Sequence, residues 1–257
     1  MDFAELHCTS AFTFLTGASQ PEELVLQAWR QGYRALAITD DGSLAGVVRA
    51  YQARENLKKT LEDEGRTLDF RLIVGSHFRL HQDRGELRLV LLARDRQAYG
   101  EISTLITRGR RRAEKGHYRL HWRDLTRIDR NALCLWLPAG DDRDEHHAAL
   151  LKAHFGERLW LACELLQDRN DALHYRYCYQ LADRFELAMT AANDVHYHLP
   201  ARHRPHAPLT ALPLNTPPPA PRPRPSHHHH PHPLRLPRPA QLHPPAPLPP
   251  DARQPRP

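Results

Sequence analysis

From residue 3 to residue 198 the chain alternates short apolar runs with stretches of helical period, and this alternation limits the fold more than any other feature. Residues 3–8 read as a strand. Ser19-Gln20-Pro21-Glu22 has the form of a capping box and opens a helix to about Gln31, with Gly32 as its stop. Residues 35–39 form a short buried strand. Leu44, Val47, Val48 and Tyr51 recur at i, i+3, i+4 and i+7 and define a helix face. Residues 71–80 and 86–93 read as strands about a polar turn that holds Gly85. Tyr99, Ile102, Leu105 and Ile106 mark another helix. A strand follows at 132–137, a helix at 146–155, a strand at 159–165, a helix at 171–185 and a last strand at 188–195. Six or seven strands separated by helices predict an α/β protein with a largely parallel sheet.

In such folds functional side chains collect at the carboxyl ends of the strands. His7, Asp40 with Asp41, His77, Glu164, and Asp194 with His196 all fall at expected strand ends. Asp194 and His196 are two apart, so on a strand they point the same way and can reach one metal ion. If the sheet closes into a barrel, its first and last strands are neighbours, and His7 lies beside that pair. A cluster of this kind can hold two or three divalent ions, which activate water and clamp a phosphate during in-line hydrolysis. Imidazole with carboxylate suits zinc, manganese or iron. Each residue also has a plainer reading. His7 can be a hydrogen-bonded core histidine, Asp40-Asp41-Gly42-Ser43 a turn that caps the next helix, and His77 an edge residue.

Composition divides the chain at about residue 199. Residues 199–257 hold 21 of the 23 prolines, no glycine and no Phe, Tyr or Trp. Such a stretch has too little apolar surface to offset its ordering entropy, so it is expected to be disordered. Eight arginines against Asp251 make it strongly basic, whereas residues 1–198 are nearly neutral. The formal net charge of +6 therefore belongs to the tail and argues little for nucleic-acid binding by the folded part. Pro, His and Arg all have cytosine-starting codons, so a shifted reading frame in a GC-rich gene is one expected origin of the tail. Cys8, Cys134, Cys163 and Cys178 are scattered without a C-x-x-C and are expected to be reduced, buried thiols in a cytoplasmic protein. No secretory leader is read at the start, and no apolar run is long enough to span a membrane.

Several stretches together resemble one family. They are Ala4-Glu5-Leu6-His7-Cys8, residues 17–24, 35–40, 43–50 and 72–76, and the run Leu105-Ile106-Thr107-Arg108-Gly109-Arg110-Arg111-Arg112-Ala113-Glu114-Lys115-Gly116. They are similar to the PHP (polymerase and histidinol phosphatase) domain. The last run is similar to the error-prone branch of the bacterial C-family DNA polymerases. The resemblance covers about residues 3–198. It implies a distorted (β/α)7 barrel, a PHP domain at 1–198, and a low-complexity tail at 199–257. It implies metal ligands at His7, Asp41, His77, Asp194 and His196. The family's His-x-His falls on His7 and Thr9, its Thr-Asp-His on Thr39, Asp40 and Asp41, and its Gly-x-Glu on Gly75, Ser76 and His77. Only the final Asp-x-His is intact, as Asp194 and His196. The implied divalent metal (zinc, manganese or magnesium) is accordingly expected to be weakly held or absent.

The resemblance also implies that palm, thumb, fingers and nucleic-acid modules follow this domain, so the expectation is a polymerase truncated after its PHP domain. DNA would then be met only through those missing domains, with mutasome and replication-clamp proteins as partners and no membrane. Two rivals stand beside it: a free-standing metal-dependent PHP phosphoesterase, and a non-catalytic docking module. Arg108, Arg110, Arg111, Arg112 and Lys115 are expected to meet phosphates or a neighbouring domain, against the plain reading of a solvated helix end.

Overall fold

The computed structural model describes residues 3–165, 170–202 and 232–234. Seven strands form one sheet in sequence order: β1 Ala4–Glu5, β2 Ala35–Ile38, β3 Arg71–Gln82, β4 Gly85–Leu92, β5 Leu133–Leu137, β6 Leu159–Glu164 and β7 Ala188–Ala192. Pairing is parallel except on the two sides of β4, which runs antiparallel to both β3 and β5. A short strand, β8 Val195–Tyr197, nearly closes the barrel. Val195 N donates to His7 O (3.0 Å) and Thr9 N donates to Val195 O (2.7 Å), a parallel bridge centred on Cys8.

The helices are α1 Pro21–Arg30, α2 Val47–Asp63, α3 Arg96–Arg111, α4 Trp122–Ile128, α5 Asp144–Phe155 and α6 Asp171–Phe185. Their apolar stripes explain where they sit. In α3, Ala98, Ile102, Leu105 and Gly109 recur on one buried face, and Asp95 caps the helix by accepting from Ala98 N (2.8 Å). Alternation along the strands separates two layers. Leu89, Leu91, Cys134, Trp136, Leu161 and Cys163 face the helices, while Val90, Leu92, Leu135, Leu137 and Ala162 fill the barrel.

Three sequence expectations need correction, and one element went unread. The helix face at Leu44, Val47, Val48 and Tyr51 is not the buried one: α2 begins at Val47, buries Ala50, Leu57 and Leu61, and leaves Val48 and Tyr51 exposed. The first strand is two residues long, not six, because the chain leaves the sheet after Glu5 to meet β8. The last strand stops at Ala192. Asp194 has a left-handed backbone (φ 44°), so the chain turns before β8 instead of continuing straight. Finally, α4 has no periodic signal long enough to read, and sequence analysis missed it.

Most of the tail lies outside the described residues. Of the remainder, Pro200–Arg202 form a single 3-10 turn, and β9, His232–Pro233, pairs in parallel with β8. Leu234 is buried in the cluster that holds Cys8, Leu24 and Phe70. No helix among the described residues is long and apolar enough to cross a membrane.

Candidate metal centre at the barrel mouth

The carboxyl ends of the parallel strands and the β8 seam bring His7, Asp41, His77, Glu164, Asp194 and His196 to one mouth. His7 follows β1, and its Nδ1 lies 2.6 Å from Glu164 Oε1 at the end of β6 and 3.7 Å from Asp194 Oδ1. His196 Nε2 lies 3.0 Å from the same Asp194 oxygen. The two members of the Asp-x-His motif therefore do meet, although by way of the left-handed turn at Asp194 and not along one strand face. His77 sits within the long β3, not at its end, and its ring is 5.2 Å from that of His7. On its far side His77 Nδ1 is 3.8 Å from Asp41 Oδ1.

Asp41 is engaged elsewhere. It accepts a hydrogen bond from Tyr118 Oη (2.6 Å), and Arg79 approaches its other oxygen at 3.7 Å. Gly42 makes this possible. Its φ is 53°, and a Cβ there would fall 2.6 Å from the Tyr118 ring. Asp40 does not join the mouth. Its carboxylate accepts from Ser10 N and Oγ and from Thr13 Oγ1 at 2.8–3.0 Å, and burial raises its pKa against those bonds.

Glu5 was missed by sequence reasoning. It is fully buried and joins the two ends of the barrel. Its Oε1 accepts from His7 N and Asn193 N (3.1 Å each), and its Oε2 accepts from Asn193 Nδ2 (2.6 Å). The only signal was its position two residues before His7 in the expected first strand, where both side chains would turn the same way. Burial pushes the Glu5 carboxyl up to about 7, against the donors from Asn193 and the His7 backbone. Burial alone would push His7 down, but the Glu164 and Asp194 carboxylates outweigh it and lift the imidazole to about 9. Burial first, and then the neighbouring His7, hold His77 well below the usual range.

Two buried imidazole nitrogens, His7 Nε2 and His77 Nε2, have no hydrogen-bond partner. Their ring centroids are 5.2 Å apart, and these two nitrogens are the donors at the mouth that a single divalent ion would use. Binding there would displace the proton that Glu164 and Asp194 favour on His7. A site for several ions fits less well. Thr9 offers a poor ligand, and Asp41 is tied to Tyr118 and Arg79. The only set of three or more His, Cys, Asp or Glu donors that converge within 4.8 Å, among the described residues, lies elsewhere, at Cys163, His174 and Cys178.

The basic run is largely engaged inside the domain. Arg112 and Arg108 face the buried Asp124 at 2.5 and 3.7 Å. Arg110 donates to the carbonyls of Gly42 and Gly116 and lies over the Tyr118 ring. Arg111 and Lys115 are exposed.

Fold and mouth together define an α/β-barrel protein with an imidazole–carboxylate cluster where the chain after β1 meets β8. A family model described as the PHP domain matches residues 5–190, and the chain belongs to that family. An error-prone DNA polymerase from Methylococcus capsulatus is 44% identical over 216 residues, which is 84% of this chain and 19% of that protein. One from Pseudomonas aeruginosa is 44% identical over 210 residues, 82% of this chain and 19% of that protein. The chain spans about a fifth of the length of these relatives. Among solved structures, a protein from Bifidobacterium adolescentis, provisionally described as a metal-dependent phosphoesterase, matches with a TM-score of 0.49 and 14% identity. That match covers 76% of this chain and 88% of the other.

Proposed function

We propose that this chain is the PHP portion of an error-prone DNA polymerase and that its barrel serves as a folded scaffold, not as a hydrolase. The reading is supported by 42–44% identity to proteins of that name across more than four fifths of the chain. The observation that carries the scaffold role is the engagement of the mouth's donors with one another and with neighbouring side chains. Asp41 is held by Tyr118 and Arg79, His7 by Glu164, and Asp194 by His196. Nucleotide transfer, DNA contact, and synthesis on damaged templates then belong to the parts of the relatives that this chain does not span. Contacts with clamp or mutasome proteins, and a cytoplasmic setting, follow from that role.

A second reading rests on one observation, the two unpartnered imidazole nitrogens of His7 and His77. A single ion there could activate water against a phosphate ester. The two readings part in one assay: p-nitrophenyl phosphate turnover by the full chain with added manganese or zinc. The scaffold reading expects the same background rate for the protein and for His196→Ala. A metal-dependent rate that His196→Ala abolishes would establish the phosphoesterase instead.

A further inference from the structure

We infer that Cys163, His174 and Cys178 form a zinc site on the outside of the barrel, separate from the mouth. Cys163 is on β6, where alternation turns it outward with Leu159 and Leu161 while Ala162 turns inward. His174 and Cys178 stand at i and i+4 on α6, so both face the strand that carries Cys163. The three donor atoms all lie within 4.8 Å of one another.

Cys178 Sγ is 3.5 Å from His174 Nε2. In a tetrahedral zinc site, bonds of about 2.3 Å to sulfur and 2.0–2.1 Å to nitrogen put those two atoms about 3.6 Å apart. One edge of the coordination polyhedron is thus already in place. A thiol–imidazole hydrogen bond would have a similar length, but it would not require a second thiol at the same point. Two thiolates and an imidazole select a thiophilic cation such as zinc over magnesium or calcium. Both cysteines are buried, at 0% and 6% exposure, which protects the thiolates from oxidation. Cys163 also lines a cleft with Leu165, Tyr175, Met189, Thr190 and Asn193.

Zinc here would fasten α6 to β6. The residue after Cys163 is Glu164, whose carboxylate holds His7. The outer site would thereby fix one wall of the mouth without contributing a donor to it.

Cobalt substitution tests this on the full chain, with thiols kept reduced. A sulfur-to-cobalt charge-transfer band in the near ultraviolet reports thiolate ligation alone. It is silent to the histidines of the mouth and to His227–His230. The expected result is a band that saturates with stoichiometric cobalt, is displaced by zinc, falls in either Cys163→Ser or Cys178→Ser, and is lost in the double variant. Cys134→Ser should keep it. His174→Ala, at a half-buried position that need not disturb the core, should weaken cobalt uptake at least about tenfold. The inference is overturned by absence of the band in the reduced protein, by its survival in the Cys163→Ser/Cys178→Ser double variant, or by an unchanged affinity in His174→Ala.

Discussion

In the β3–β5 half of the barrel, eight register pairs join β3 to β4 and five join β4 to β5. The outward faces of those strands lie on a bed of Phe78, Leu80, Leu87, Leu89, Leu91 and Trp136. At the seam, β1 has two paired residues, and the chain just after it meets β8 through one bridge at Cys8. There the buried groups are Glu5, His7, Thr9, Ser10, Asn193, Asp194 and His196. Where the backbone ladder is long, apolar side chains are sufficient. Where it is short, polar side chains supply the cross-links, and those same side chains make the mouth. A buried acid beside a candidate metal centre can therefore be a structural tie, as Glu5 is.

The largest expected effect lies in the apolar half. Leu89 is fully buried between its register partners Phe78 and Trp136. Leu89→Ala should lower the unfolding free energy by about 4 kcal/mol, read from urea midpoints at constant slope. A loss under about 1 kcal/mol would mean that apolar packing does not carry the stability of this half.

The seam should differ in kind, because its stability should depend on pH. Glu5 is raised from 4.5 in the unfolded chain to about 7 in the folded one. Between those values the folded protein keeps a proton that the unfolded chain has released. Stability present below 4.5 is thus lost as pH rises toward 7, by about 3 kcal/mol. Glu5→Gln keeps the shape, and the Asn193 amide can turn its oxygen toward the new donor. That variant should flatten the slope, whereas Leu89→Ala should leave it unchanged. Equal slopes in Glu5→Gln and the parent protein would remove Glu5 as the seam's titrating group.

The smallest effect is expected outside both regions. Val48 and Tyr51 carry a helical spacing that reads as a buried face, yet they are 62% and 55% exposed. Val48→Ser should change stability by no more than about 0.5 kcal/mol in a thermal melt of the same chain. A loss comparable to that of Leu89→Ala would restore this face to a buried role.

These contrasts also explain what the sequence made legible. The order of strands and helices was readable because each element buries one stripe, and hydrophobic period records burial. The α2 face misled because Leu44 precedes the helix, and Val47, Val48 and Tyr51 match a period that the true core residues, Ala50, Leu57 and Leu61, continue in a different phase. His7 and the Asp194–His196 pair were readable as ligand types near strand ends. The turn at Asp194 was not, since a left-handed aspartate leaves no mark beyond its identity. Glu5 with Asn193 and the Cys163–His174–Cys178 group escaped for a common reason. Each is made by the packing of one element on another, Glu5 with Asn193 across nearly the whole folded chain and Cys163 across the β6–α6 turn, and only the His174–Cys178 spacing hints at a shared face.

The bridge at Cys8 and Val195 has a consequence for the order in which the molecule assembles. Its partners, like Glu5 and Asn193, are separated by nearly the whole folded chain. Ring closure over such a length carries an entropy penalty that local hairpins such as β3–β4 escape. The hairpin can form while synthesis continues, but the seam must wait until residue 195 has left the ribosome. The mouth is thus completed last, so that a chain stalled before its final strands holds its core helices and sheet but lacks Asp194, His196 and the Glu5–Asn193 tie.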